Sequence, residues 1–217
     1  AAALKKSVTK KTKAIIVCSP SNPTGRVFTK RELDVIVAVA QKNDLLIIAD
    51  ETYNFLVYDK TPFTSLLTYP KIKNRLIACF SFSKEFAMTG WRVGYMYAPS
   101  TIINEALKIH YAFVICAPTI SQYAALIALT ERPKKKEATV KDVLAKRRIL
   151  ICKRLDKLPD LFSYCAPQGA FYILVRYKKT KLTSWDFAIK LLYEAGVITV
   201  PGRAFGPQGE GHIRLSF

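Results

Sequence analysis

Three short runs constrain this chain more than any other feature: "AIIVCSP" at residues 14 to 20, "LLIIADE" at 45 to 51 and "RLIACFSF" at 75 to 82. The second and third are apolar on both alternating faces, as strands are when helices cover their sheet on each side, and the first is a β-branched run that stops at Pro20. Between the first two lies "KRELDVIVAVAQKN", with apolar residues at helical spacing. Thr29 as N-cap and Glu32 three residues later form a capping box that starts this helix. Strands alternating with helices imply an α/β fold with a mostly parallel, doubly wound sheet.

"WRVGYMYAP" supplies a fourth strand before Pro99, and "TIINEALKIHYAFVI" and "TISQYAALIALTE" read as helices. Around Pro133 the chain turns and becomes basic, and a long helix from about Thr139 to Leu155 leads to a second unit. That unit carries strand-like "GAFYILVRY" and "GVITVPG", a helix at "SWDFAIKLLYEAG" and a final strand "HIRLSF", an α+β pattern. The expected division is 1–120, a connecting helical region 121–150, and a small C-terminal domain 151–217.

With 217 residues, 50% hydrophobic and 12% aromatic, the chain can bury a core. No window reaches the roughly 20 apolar residues of a membrane span. The opening "AAALKKSVTKKTK" lacks the order of a secretory signal, so the expected location is the cytoplasm. Five scattered cysteines with no CxxC pair argue against a disulfide framework and a zinc site, and are expected reduced and mostly in the core. The net charge of +18 raises nucleic acid as a partner. The basic runs lack interleaved aromatics and a recognised binding motif, and read instead as solvated faces.

Ligands of an open α/β sheet bind outside the carboxyl ends of its strands, and three strand ends here carry polar groups. The first delivers Asn22, the second Asp50 and then Tyr53, the third Ser81, Ser83 and Lys84, with Arg92 following beyond Gly90. Singly each has an ordinary reading: Asp50 a helix cap, Asn22 a turn residue, Lys84 a loop cation, Arg92 or Arg214 an ion-pair partner. Together they are what a pyridoxal phosphate site requires. Asp50 favours a protonated ring nitrogen, Tyr53 and Asn22 can bond a phenolate oxygen, Lys84 offers a nucleophilic amine, and Arg92 and Ser81 suit a phosphate. His110 and His212 read as structural, and Trp91 and the aromatics of "GAFYILVRY" as core.

The stretches "SPSNPTG", "IIADETY", "SFSKEFAMTGWRVGY" and "VPGRAFGPQGEGHIRLSF" resemble, in order and spacing, the signatures of class I and II aminotransferases of pyridoxal-phosphate fold type I. The resemblance implies Lys84 as the Schiff-base lysine, Asp50 against the pyridine nitrogen, and Tyr53 and Asn22 at the phenolate oxygen. It implies Ser81 and Arg92, with Ser83, at the phosphate, and Arg214 with Asn22 at the substrate carboxylate. The expected activity is transfer of an amino group between an amino acid, aspartate or an aromatic one, and a 2-oxo acid such as 2-oxoglutarate, in a homodimer. A carbon–sulfur lyase or cyclopropane-carboxylate synthase of the same fold would keep these motifs. Family members are longer, so the resemblance also implies a chain truncated at its start and slightly at its end, with an incomplete large domain and, as a further alternative, a catalytically incompetent fragment.

Overall fold

The computed structural model describes residues 2–131 and 134–217, with the backbone alone described at 134–139. The turn expected around Pro133 lies outside the described residues. The chain divides into two compact units, Ala1–Pro20 with Val27–Pro133, and Ser21–Arg26 with Lys134–Phe217.

The first unit runs α1 (Ala2–Ser7), β1 (Ala14–Cys18), α2 (Lys30–Lys42), β2 (Leu46–Asp50), β3 (Leu76–Ser81), the one-turn α3 (Phe82–Glu85), β4 (Gly94–Tyr97), α4 (Ser100–Phe113) and α5 (Thr119–Thr130). Its sheet is ordered β1-β2-β3-β4, the first three strands parallel and β4 antiparallel to β3. The capping box forms as expected: the Thr29 hydroxyl accepts from Glu32 N–H, and the Glu32 carboxylate accepts from Thr29 N–H at 2.9 Å. From that start α2 lays Leu33, Ile36, Val37 and Ala40 onto Val17, Ile47, Ala49, Leu76 and Ala78 of the strands. Each large aliphatic side chain so buried contributes about 1.5–3 kcal/mol.

The expectation of cover on both faces is not met among the described residues: α2 covers the face carrying Val17, Ile47, Ala49, Leu76 and Ala78, while on the other face Ile48 and Ile77 are half-buried and Ile16 is 72% exposed, and all four residues of β4 are exposed. The strand lies at the sheet's edge, and α4, which follows it, has no buried residue. Trp91, expected in the core, is 42% exposed beside this strand. The cysteines also depart from expectation: Cys18, Cys79 and Cys152 are half-buried, while Cys116 and Cys165 are exposed.

The second unit holds α6 (Lys134–Leu155), β5 (Phe162–Tyr164), β6 (Tyr172–Tyr177), α7 (Ser184–Ala195), β7 (Val200–Pro201) and β8 (His212–Ser216). Its antiparallel sheet is ordered β5-β6-β8-β7. Ile173, Val175, Tyr177 and Ile213 form its core, with Ile151 and Leu155 of α6 and Phe187 and Leu191 of α7 packed on them. Among the described residues no helix is long and apolar enough to cross a membrane.

Candidate active site

The first unit places five of the eight expected site residues at the carboxyl ends of β2 and β3. Asp50 closes β2, paired in register with Cys18 on β1 and Cys79 on β3. Its Oδ1 accepts from Thr52 N–H at 3.1 Å, and Oδ2 lies 3.8 Å from the Cys18 Sγ, a weak thiol donor. A carboxylate oxygen has room for more than such a contact, so Oδ2 can accept a strong bond from a protonated ring nitrogen. Burial, and then the Asp50 charge, push the Cys79 thiol above its ordinary value, which keeps it protonated beside the carboxylate. Tyr53 is buried at the start of the loop after β2.

Beyond β3 the chain bends into α3, where the Ser81 hydroxyl caps the helix by accepting from Ser83 N–H at 3.1 Å. Lys84 is half-buried on this single turn. Ser83 itself is buried, and its carbonyl accepts from Thr89 Oγ1 at 3.0 Å. The Thr89 carbonyl in turn accepts from Arg92 Nη1 at 2.8 Å. Arg92 sits at φ 53°, ψ 48°, a left-handed conformation that costs a non-glycine residue about 1–2 kcal/mol. Strain of this kind collects where a side chain must be aimed. Thr89 thus joins the lysine turn to the arginine, a role that sequence reasoning missed because a threonine in "MTG" carries no signal of its own.

The other two residues, Asn22 and Arg214, meet in the second unit. The turn "SNPTG" is held there by its glycine: Gly25 has φ +68°, and a Cβ on it would fall 2.3 Å from Pro167 Cβ. Its carbonyl accepts from Gln168 and Gly169 N–H at 2.7 and 2.8 Å. This fixes Asn22, whose Oδ1 accepts from Arg214 Nη1 at 3.0 Å. On β8, Arg214 lies with its guanidinium carbon 4.5 Å from the Tyr172 ring centre and 5.2 Å from that of Phe205. Its Nε is buried with no hydrogen-bond partner among the described residues. A buried donor left open costs about 1–3 kcal/mol unless a ligand meets it, and Nε beside Nη2 is the edge that fits a carboxylate. Tyr172 reads as core in the sequence; its contact with Arg214 follows from the β6–β8 register, which the sequence does not print, whereas Phe205 reaches the guanidinium from the helical turn Gly202–Phe205.

The sequence profile of the family described as aminotransferase class I and II matches residues 1–217. A putative aminotransferase of Bacillus subtilis is 43% identical over 218 residues, covering 100% of this chain and 55% of its own. An aspartate aminotransferase of Pyrococcus abyssi is 44% identical over 217 residues, again covering 55% of the relative. Among solved structures, an aromatic aminotransferase from Pyrococcus horikoshii superposes with a TM-score of 0.92 at 43% identity, over 98% of this chain and 57% of that one. The chain therefore spans a little over half the length of the relatives it matches, and has the fold of their shared portion. The chain belongs to the class I and II aminotransferase family.

Proposed function

We propose that the protein to which this chain corresponds transfers an amino group between an amino acid and a 2-oxo acid, using pyridoxal 5'-phosphate. The observation that carries the reading is the pairing of adjacent strand ends: β2 delivers the Asp50 carboxylate, and β3 runs on through Ser81 to the Lys84 amine. The cofactor supplies an electron sink that makes the substrate's α-proton acidic. Asp50 holds the ring nitrogen cationic through its open Oδ2. Tyr53, with Asn22, would bond the ring oxygen, Ser81, Arg92 and Ser83 would hold the phosphate, and the Lys84 amine would bind the cofactor and move a proton at the substrate's α-carbon. Arg214 presents its Nε and Nη2 edge to the substrate's carboxylate, with Asn22 setting the angle of the guanidinium.

In this reading residues 1–120 serve the cofactor, with Asn22 also working beside Arg214 at the substrate carboxylate, 151–217 serve that carboxylate, and 121–150 connect them. Aspartate or an aromatic amino acid is the donor, a choice supported by the names of the relatives. A homodimer in the cytoplasm completes the reading and rests on the family resemblance. The test is a visible absorption titration of the 217-residue chain with pyridoxal phosphate, with Lys84→Ala as control. A band absent from the variant and shifted by aspartate or an aromatic amino acid is expected, with 2-oxoglutarate reversing that shift. A band equal in both proteins would remove Lys84 from its role.

A further inference from the structure

Between the two site residues Asp50 and Tyr53 lies a carboxylate that the mechanism does not use. Glu51 is 4% exposed. Its Oε1 accepts from Ser65 Oγ at 2.9 Å and from Leu66 N–H at 2.9 Å, and its Oε2 accepts from the same hydroxyl at 2.7 Å. No cation pairs with it among the described residues. A buried carboxylate is costly to ionise, so three donor contacts concentrated on one point call for an explanation.

Ser65 lies fourteen residues along the chain from Glu51. The segment between leaves the sheet, turns at Asp59 and Lys60 with φ 51° and 55°, and returns at Ser65, which caps the short helical turn Leu66–Thr68. Inside the loop Asn54 N–H donates to Glu51 O, Leu56 N–H to Tyr53 O and Thr61 N–H to Tyr58 O. These bonds are local and shape the loop without seating it on the sheet. The Glu51 side chain joins the loop's entry to its exit, and Tyr53 stands two residues inside that closure.

We propose that Glu51 is a positioning residue for Tyr53: by clasping Ser65 and Leu66 its carboxylate closes the loop that begins after β2 and so fixes the Tyr53 phenol beyond Asp50. The inference rests on the reading above that Tyr53 serves the cofactor, but its first test needs no cofactor. Loss of the clasp leaves the buried Leu66 N–H and the half-buried Ser65 hydroxyl without their acceptor.

The experiment is amide hydrogen exchange, resolved to single residues, on the 217-residue chain and its Glu51→Ala, Glu51→Gln and Ser65→Ala variants. The amide of Leu56, bonded to the Tyr53 carbonyl, is the reporter, and that of Ala49 in β2 is the control. In Glu51→Ala exchange at Leu56 is expected to quicken by about tenfold or more, with Ala49 unchanged, since a clasp that is lost opens locally. Glu51→Gln, which keeps an acceptor for Leu66 and a donor for Ser65, is expected within about twofold of the parent. Should Glu51→Ala fail to fold, Ser65→Ala, which removes one hydroxyl, carries the same expectation. An unchanged Leu56 in the two alanine variants overturns the proposal, as does a rise of Leu56 and Ala49 together, or a Gln variant as open as the Ala one. On the cofactor-loaded chain, the pH midpoint of the visible band is then expected to move in Glu51→Ala as it does in Tyr53→Phe, and to stay in Glu51→Gln. Quickened exchange with an unmoved midpoint in Tyr53→Phe upholds the clasp and counts against the cofactor role of Tyr53 instead.

Discussion

Asp50 and Glu51 are neighbours in sequence with opposite prospects. Asp50 keeps an open oxygen at a strand end, whereas Glu51 is enclosed. Burial raises the Glu51 carboxyl above its ordinary 4.5, partly offset by its bonds to Ser65 and Leu66. A carboxyl whose folded pKa lies above its unfolded value contributes its full stability below the unfolded pKa and loses it as pH rises through the folded one. Glutamine carries no such charge. The urea stability of Glu51→Gln should therefore equal that of the parent near pH 4 and exceed it at pH 7, and a parent that gains on Gln with rising pH would reverse this account. Arg214 invites a different substitution. Lysine keeps the charge but loses the planar fork and the stacking on Tyr172 and Phe205. A charge-assisted bond is worth about 1.5–3 kcal/mol, so Arg214→Lys is expected to weaken 2-oxoglutarate binding to the cofactor-loaded chain about 10- to 100-fold. Unchanged binding would mean that a point charge suffices.

At the scale of elements, legibility followed local determination. The start of α2 could be read because Thr29 and Glu32 cap it through contacts three residues apart. Thr29→Ala should cost about 1 kcal/mol in urea unfolding with the denaturant slope unchanged. The parallel strands were legible as unbroken apolar runs, although their burial alternates, with Ile47 and Ala49 buried and Ile48 half-buried. By contrast β5, Phe162–Tyr164, is three residues long and too short to show a period, and β7 shrinks to Val200–Pro201 within an apolar stretch that promised more. The antiparallel turn of β4 was hidden because "GYMY" reads alike in either direction. The strand lies close against β3 at Gly94, where a Cβ would meet Phe80 O at 2.6 Å. Site residues with distinctive chemistry stood out in the sequence. Thr89, Glu51 and Phe205 act through carbonyls, loop closure and ring faces, which residue type alone does not reveal.

Over the whole molecule two features oppose one another. Apolar side chains stand exposed along β4, α4 and α5: Tyr95, Tyr97, Tyr111, Phe113 at 84%, Ile120 and Tyr123 among them. A surface of this kind drives association. The net charge of +18 drives copies of the chain apart. Repulsion between charges is screened over a Debye length of about 10 Å at 0.1 M salt and about 3 Å at 1 M, whereas apolar burial does not weaken with salt. The balance should therefore tip with ionic strength. In sedimentation velocity the weight-average mass of the 217-residue chain is expected to rise between 0.05 and 0.5 M sodium chloride. Tyr111→Lys with Phe113→Lys, at positions already facing solvent, should suppress that rise without lowering urea stability by more than about 0.5 kcal/mol per site. Association that instead falls with salt would assign the contacts to opposite charges, with the sixteen acidic residues set against the basic runs.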